Sequence, residues 1–151
     1  MNPELRELYQ DLILDHGRHP RNFGGLDGYT HKLEGFNPLC GDRLTVYLKV
    51  VDGKIEAIGF EGQGCAISVA SASLMTERLK GKTVDEALAL FEPVHQLLMT
   101  GDLDEEESES LGKLTMLSGV SEFPTRVKCA TLAWHTMKGA LSGKSDGITT
   151  E

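Results

Sequence analysis

Leu44, Val46, Leu48 and Val50 alternate with Thr45, Tyr47 and Lys49, and the run ends at Asp52-Gly53. Alternation of this kind is the mark of a strand with one buried face, and Asp-Gly is the two-residue signal of a tight antiparallel hairpin. Lys54 to Glu61 is then expected to return as the partner strand. Upstream, Gly28 to Asn37 alternates more loosely, with Tyr29, His31 and Leu33 on one side, and is read as a further strand. Three antiparallel strands with one apolar face need helices to cover them. The expected class is therefore α+β, a three-stranded antiparallel sheet packed with about five or six helices.

The covering helices are legible in turn. Asn2-Pro3 is a helix start, with Leu5, Leu8, Tyr9, Leu12 and Ile13 as its apolar stripe and Gly17 and Pro20 as its end. His16 and His19 fall near that end, where histidines suit the helix dipole. Ala66 to Lys80 is rich in Ala and Ser and stops at Gly81. Thr83 and Glu86 form a capping box for a helix that Pro93 is expected to break, a second piece reaching Thr100. The acidic stretch 102–109 reads as a solvated face. Leu111 to Leu117 is a candidate short helix. Thr125 to Leu141 reads as the last one, buried along Val127, Ala130, Thr131, Trp134, Met137 and Leu141. No internal repeat is present, so the reading is one domain over 1–141 and a flexible polar tail over 142–151.

With 151 residues, 40% of them hydrophobic, one core is affordable in size. A net charge of -8 argues against nucleic acid or an anionic membrane as partner. No apolar run approaches the roughly 20 residues a bilayer needs. Glu4, Arg6 and Glu7 interrupt the N-terminal stretch, unlike an export signal. An odd cysteine count without such a signal favours reduced thiols and a cytoplasmic location.

The three cysteines are Cys40, Cys65 and Cys129. Lone cysteines are most often small buried hydrophobes, and no CxxC pair is present. These three, however, abut turns and helix starts. Cys40 sits in Pro38-Leu39-Cys40-Gly41-Asp42, Cys65 follows Gly62-Gln63-Gly64, and Cys129 lies near the start of the last helical pattern, after Pro124. Asp42 is a polar ligand where a core cysteine would have apolar neighbours. Cys40, Asp42, Cys65 and Cys129 together offer the donor set of a tetrahedral zinc or of an iron–sulfur cluster corner. Gly41 lets the turn aim Cys40 and Asp42 at one ion, and Cys129 comes from a distant element, so the site closes only on folding. Ionised, these ligands hold more negative charge than a divalent ion cancels, which calls for nearby cations. Arg126, three residues before Cys129 on the same helical side, is the first candidate. Lys128 adjoins Cys129 but points about 100° away. A hydrolytic cysteine enzyme is a poor reading, because no histidine motif offers a base.

The segments PLCGD, GQGCAIS and VSEFPTRVKCATLAW resemble the U-type iron–sulfur cluster assembly proteins, the IscU and NifU N-terminal family, and HGRHPRN resembles their helix-to-loop segment. The likeness runs from Leu5 to Leu141. It implies an α+β fold with the cysteines and the aspartate clustered at one exposed end. In the scaffold branch of the IscU kind a histidine directly precedes the third cysteine, and here that place is Lys128. The spacer between Cys65 and Cys129 is long, as in the SufU branch, to which the resemblance is closest. That branch implies a zinc-dependent sulfurtransferase: a cysteine desulfurase forms a persulfide, Cys40 is the catalytic thiol that receives its outer sulfur, and Zn²⁺ holds the thiolates until the partner docks. The scaffold branch implies instead a [2Fe-2S] cluster assembled on Cys40, Cys65 and Cys129 and passed on. Either way the implied partners are the desulfurase and downstream cluster assembly or acceptor proteins.

Overall fold

The structure, a computed structural model, describes residues 3–39, 41–143 and 148–149. The expected helix cap Asn2, the thiol Cys40 and most of the tail 142–151 lie outside the described residues. The chain runs α1 (Pro3–Arg18), β1 (His31–Asn37), β2 (Asp42–Val51), β3 (Lys54–Gln63), α2 (Ala66–Leu79), α3 (Val84–Thr100), α4 (Glu105–Leu111), a 3-10 segment (Gly112–Glu122), α5 (Pro124–Leu141) and β4 (Ile148–Thr149). It is the α+β fold of three antiparallel strands and covering helices. The two-residue β4 lies beside β1 in the parallel sense, giving the order β3-β2-β1-β4. Among the described residues no helix is long and apolar enough to cross a membrane.

The hairpin forms where the sequence places it. Asp52 and Gly53 take φ of 51° and 78°, the left-handed pair that matches a turn to the twist of its strands. Leu44, Val46 and Leu48 point inward with Leu33 of β1 and with Ile58 and Phe60 of β3. The same parity carries Asn37 and Asp42, which face each other across β1 and β2, onto that inner face.

α5 lies against this face and is buried nearly all round, because α2, α3 and the 3-10 segment cover its other side. The expected stripe was too narrow: Cys129, Leu132, Ala133 and Thr136 are buried as well. Gly35 sets how close α5 comes. A Cβ there would collide with Thr136 Oγ1 and stand 3.1 Å from Leu132 Cδ1. One turn back along α5 from Leu132 is Cys129, and two residues along β1 from Gly35 is Asn37, so this close crossing brings helix and strand together at one end of the sheet.

α3 begins with the capping box on Thr83 and Glu86 and ends on left-handed Gly101. It does not break at Pro93; the helix runs through. A mid-helix proline costs about 3 kcal/mol. Around it Phe91, Val94, Leu97 and Leu98 are buried, and each such side chain returns roughly 1.5–3 kcal/mol. The acidic stretch, read as a solvated face, carries most of α4, with Glu105, Glu106 and Glu109 exposed. Asp104 caps it by accepting the Glu107 N–H at 2.7 Å, and its first turn is Glu105, Glu106 and Glu107, where the helix dipole favours negative charge.

His16 does not serve the dipole of α1 at the surface. It is 1% exposed and turned onto α2, with Nδ1 at 2.8 Å from Ser73 Oγ and Nε2 at 3.7 Å from Glu77. Ser73 Oγ accepts the Arg21 N–H at 2.8 Å, so its own hydrogen is available to Nδ1 and the ring proton belongs on Nε2. Burial, followed by the charge of Arg21, pushes the His16 pKa below its ordinary value, and burial does the same to His135. A histidine held neutral in the fold contributes stability that is fully present above about pH 6.5, its unfolded value, and is lost as pH falls from there through the lowered folded value. The melting temperature is expected to drop between pH 7.5 and 5.5. His16→Gln should flatten that drop; an equally steep profile in the variant assigns it to other groups.

Candidate metal centre

Three chain segments meet at the end of the sheet where α5 starts. The β1–β2 turn is drawn in by Asn37, whose carbonyl accepts the Gly41 N–H at 2.9 Å. Gly41 takes φ of 72°, and Asp42 follows as the first residue of β2, fully buried. β3 runs beside β2 so that Gln63 pairs with Arg43, and the chain leaving it through Gly64 arrives next to Asp42. Gly64 is required by this approach: a Cβ there would stand 2.8 Å from Asp42 Oδ1 and 3.2 Å from Ser68 Cβ. Cys65 then caps α2, with extended φ and ψ of -68° and 165° and its sulfur accepting the Ser68 N–H at 3.5 Å. Cys129, in the second turn of α5, is 1% exposed.

The donor atoms of Asp42, Cys65 and Cys129 all lie within 4.8 Å of one another. Asp42 Oδ1 accepts the Cys65 N–H at 2.9 Å, and Oδ2 stands 3.8 Å from Cys65 Sγ. Cys129 Sγ is 3.7 Å from Asn37 Nδ2 and 3.6 Å from the Thr125 carbonyl. Around a zinc with Zn–S near 2.3 Å, tetrahedral donors sit roughly 3.8 Å apart, so small shifts suffice. The chemistry also fits. A buried carboxylate is costly unless paired or coordinating a cation, and two sulfurs with one oxygen suit a borderline ion such as zinc, or iron. The hydroxyl of Ser68, one turn into α2, is buried with no hydrogen-bond partner among the described residues.

The structure thus brings together three of the residues that the sequence singled out. The fourth, Cys40, lies between Leu39, which is 67% exposed, and Gly41, outside the described residues. Arg126 is exposed and lines a groove with Tyr9, Ile13, Ile67 and Phe123. Lys128 is half-buried on the first turns of α5. Gly64 was legible beside Cys65 in Gly62-Gln63-Gly64, whereas Asn37 and Ser68 were not singled out by sequence reasoning. Asn37-Pro38 is a turn signal, and it was the only one available for that residue.

A model of the NifU-like N-terminal domain matches residues 8–130. The chain is 38% identical to the zinc-dependent sulfurtransferase SufU of Bacillus subtilis, over 97% of both chains. It is 43% identical to the iron–sulfur cluster assembly scaffold protein IscU of Thermotoga maritima, over 91% of this chain and 94% of that one. Among solved structures, a putative cluster assembly scaffold protein for the SUF system of Fervidobacterium islandicum superposes with a TM-score of 0.81 at 34% identity, covering 90% of this chain and 98% of that one. On the matched domain, the full-length relatives and the thiol-carboxylate cluster at the mouth of α5, the chain belongs to the NifU-like N-terminal family of iron–sulfur cluster assembly proteins.

Proposed function

We propose that the chain is a zinc-dependent sulfurtransferase of iron–sulfur cluster assembly, which accepts persulfide sulfur from a cysteine desulfurase on Cys40 and passes it to downstream assembly or acceptor proteins. The observation that carries the reading is the convergence of Asp42, Cys65 and Cys129 within 4.8 Å, two residues along the chain from Cys40. Lys128 supports it too, standing where the scaffold branch has a histidine before the third cysteine. So does likeness to a zinc-dependent sulfurtransferase over nearly the whole length of both chains.

Cys40, Asp42, Cys65 and Cys129 would hold the ion, which when bound supplies positive charge that keeps sulfur ligands ionised. The chain's own residues do the remaining work. The Asp42 carboxylate, fixed by the Cys65 N–H, aligns the start of β2 with the start of α2. Arg126 and Lys128 are the cations on α5 proposed to offset the excess negative charge. In the transfer step the Cys40 thiolate attacks the outer sulfur of the donor's persulfide. A new S–S bond forms at Cys40 as the donor's S–S bond breaks, and the donor cysteine leaves as a thiolate that takes up a proton. No net oxidation occurs, so no further reagent is needed.

A second reading has its own support. The Thermotoga maritima relative and the Fervidobacterium islandicum structure carry scaffold names, and the same donors suit iron. A [2Fe-2S] cluster would then be cargo built on Cys40, Cys65 and Cys129. Metal content after purification without oxygen separates the two. One zinc per chain and no visible absorbance favours sulfur transfer; a coloured cluster that survives dilution favours the scaffold. Cys40→Ala is expected to reduce stimulation of the desulfurase to background. Normal stimulation by Cys40→Ala, alongside loss in Cys129→Ala, would reassign the acceptor thiol.

A further inference from the structure

We propose that Asn37 is the positioning residue of this centre: its side chain ties the turn that carries Cys40 to the sulfur of Cys129. The inference rests on the ligand set proposed above. Asn37 is fully buried on the inner face of β1, opposite Asp42. Its Oδ1 accepts the Leu39 N–H at 3.2 Å and its carbonyl accepts the Gly41 N–H at 2.9 Å. One residue therefore holds the backbone on both sides of Cys40. From the other end of the same side chain Nδ2 reaches Cys129 Sγ at 3.7 Å, across 92 residues of sequence. The two contacts fix which end of the amide is oxygen and which is nitrogen.

An N–H aimed at a sulfur is weak while the sulfur is neutral and strengthens when it carries charge. A thiolate ligand receiving such a bond spreads part of its charge onto the donor, which tunes its hold on the metal. Asn37 therefore acts on the centre through Cys129, and the same amide that steadies this sulfur steadies the Cys40 turn. Metal hold and turn geometry are linked through one side chain. Only a side chain with a donor and an acceptor on one short arm does both. Asp keeps the shape and the acceptor for Leu39 but turns an oxygen towards the sulfur. Ala removes both contacts.

The test uses the full chain with cobalt(II) in place of the native metal, read by its sulfur-to-cobalt absorption band and by competition with a chelator. Asn37→Asp is expected to move the band to lower energy and to weaken cobalt binding by about 10–100-fold, the usual cost of losing a supporting hydrogen-bond partner. Asn37→Ala should do the same and also lower the melting temperature. A band and affinity unchanged in Asn37→Asp overturn the proposal, as does a melt that falls while the band stays put, since that is a purely structural role. A wild-type chain that shows no sulfur-to-cobalt band overturns the ligand set itself, and this inference with it. Should neither variant fold, the wild-type chain loaded with cadmium-113 decides. A scalar coupling from an Asn37 side-chain amide proton to the metal, through Cys129 sulfur, is expected, and its absence overturns the proposal.

Discussion

Stripping the metal from the purified protein is expected to lower its melting temperature by roughly 8–16 °C. An ion bound only by the native state stabilises it by RT ln(1 + [L]/Kd), about 4 kcal/mol at a thousandfold excess over Kd. Each kcal/mol moves the melt of a chain this long by about 2–4 °C. The effect is large here because of what the donors join. Asp42 starts β2, Cys65 caps α2 and Cys129 lies in α5, so one ion held by them would tie the sheet to α2 and α5. In the unfolded chain these donors are scattered, and little of the binding survives. Removal also takes away a positive charge beside the buried Asp42 carboxylate. The check is a thermal melt before and after chelation, with metal analysis confirming the loss. An unchanged melt in verified metal-free protein would mean that these side chains hold no ion in the native state.

What the sequence made legible was local. The Asp52-Gly53 hairpin, the Thr83–Glu86 capping box and the span of α5 each depend on residues within a turn or two of one another, and each is where the pattern put it. The errors came from terms that only the packed structure supplies. Pro93 was expected to break α3 because its missing N–H is visible in the sequence, while the burial of Phe91, Val94, Leu97 and Leu98 is not. α5 was given one buried stripe because a helix at a surface needs only one, and α5 is not at the surface. His16 was assigned to the dipole because its partners, Ser73 and Glu77, belong to a helix far along the chain. The candidate site divides the same way. Cysteines beside glycines announce themselves by residue type, and the strand parity of Asp42 with Leu44, Val46 and Leu48 tells which way it points. Asn37 reads as an ordinary turn residue until the sulfur 92 positions away is seen beside it.

Asp42→Ala is expected to act with opposite signs on the two functional readings. Its carboxylate is the one hard donor in a soft set, and so the ligand most readily exchanged. In the zinc form, alanine removes a ligand and should weaken zinc binding by more than the roughly 10–100-fold that losing a supporting partner costs; sulfur transfer should fall with it. In a cluster-bearing form, the same change removes the position at which a cluster most easily lets go, so an assembled cluster should persist longer and pass on more slowly. The substitution has a second consequence that has to be kept apart. Asp42 Oδ1 accepts the Cys65 N–H at the start of α2, and alanine leaves that buried donor without its acceptor, at a cost of about 1–3 kcal/mol. Asp42→Asn retains an oxygen for the Cys65 N–H and gives up the anionic ligand, so its melt should stay nearer the wild type while its metal binding follows Asp42→Ala. The measurements are metal retention against a competing chelator and cluster lifetime after reconstitution, made on both variants. Weaker zinc with no stable cluster supports sulfur transfer, and a longer-lived cluster supports the scaffold. If both quantities match the wild type in both variants, Asp42 is not a ligand, and its buried carboxylate serves only to dock the start of α2 against β2.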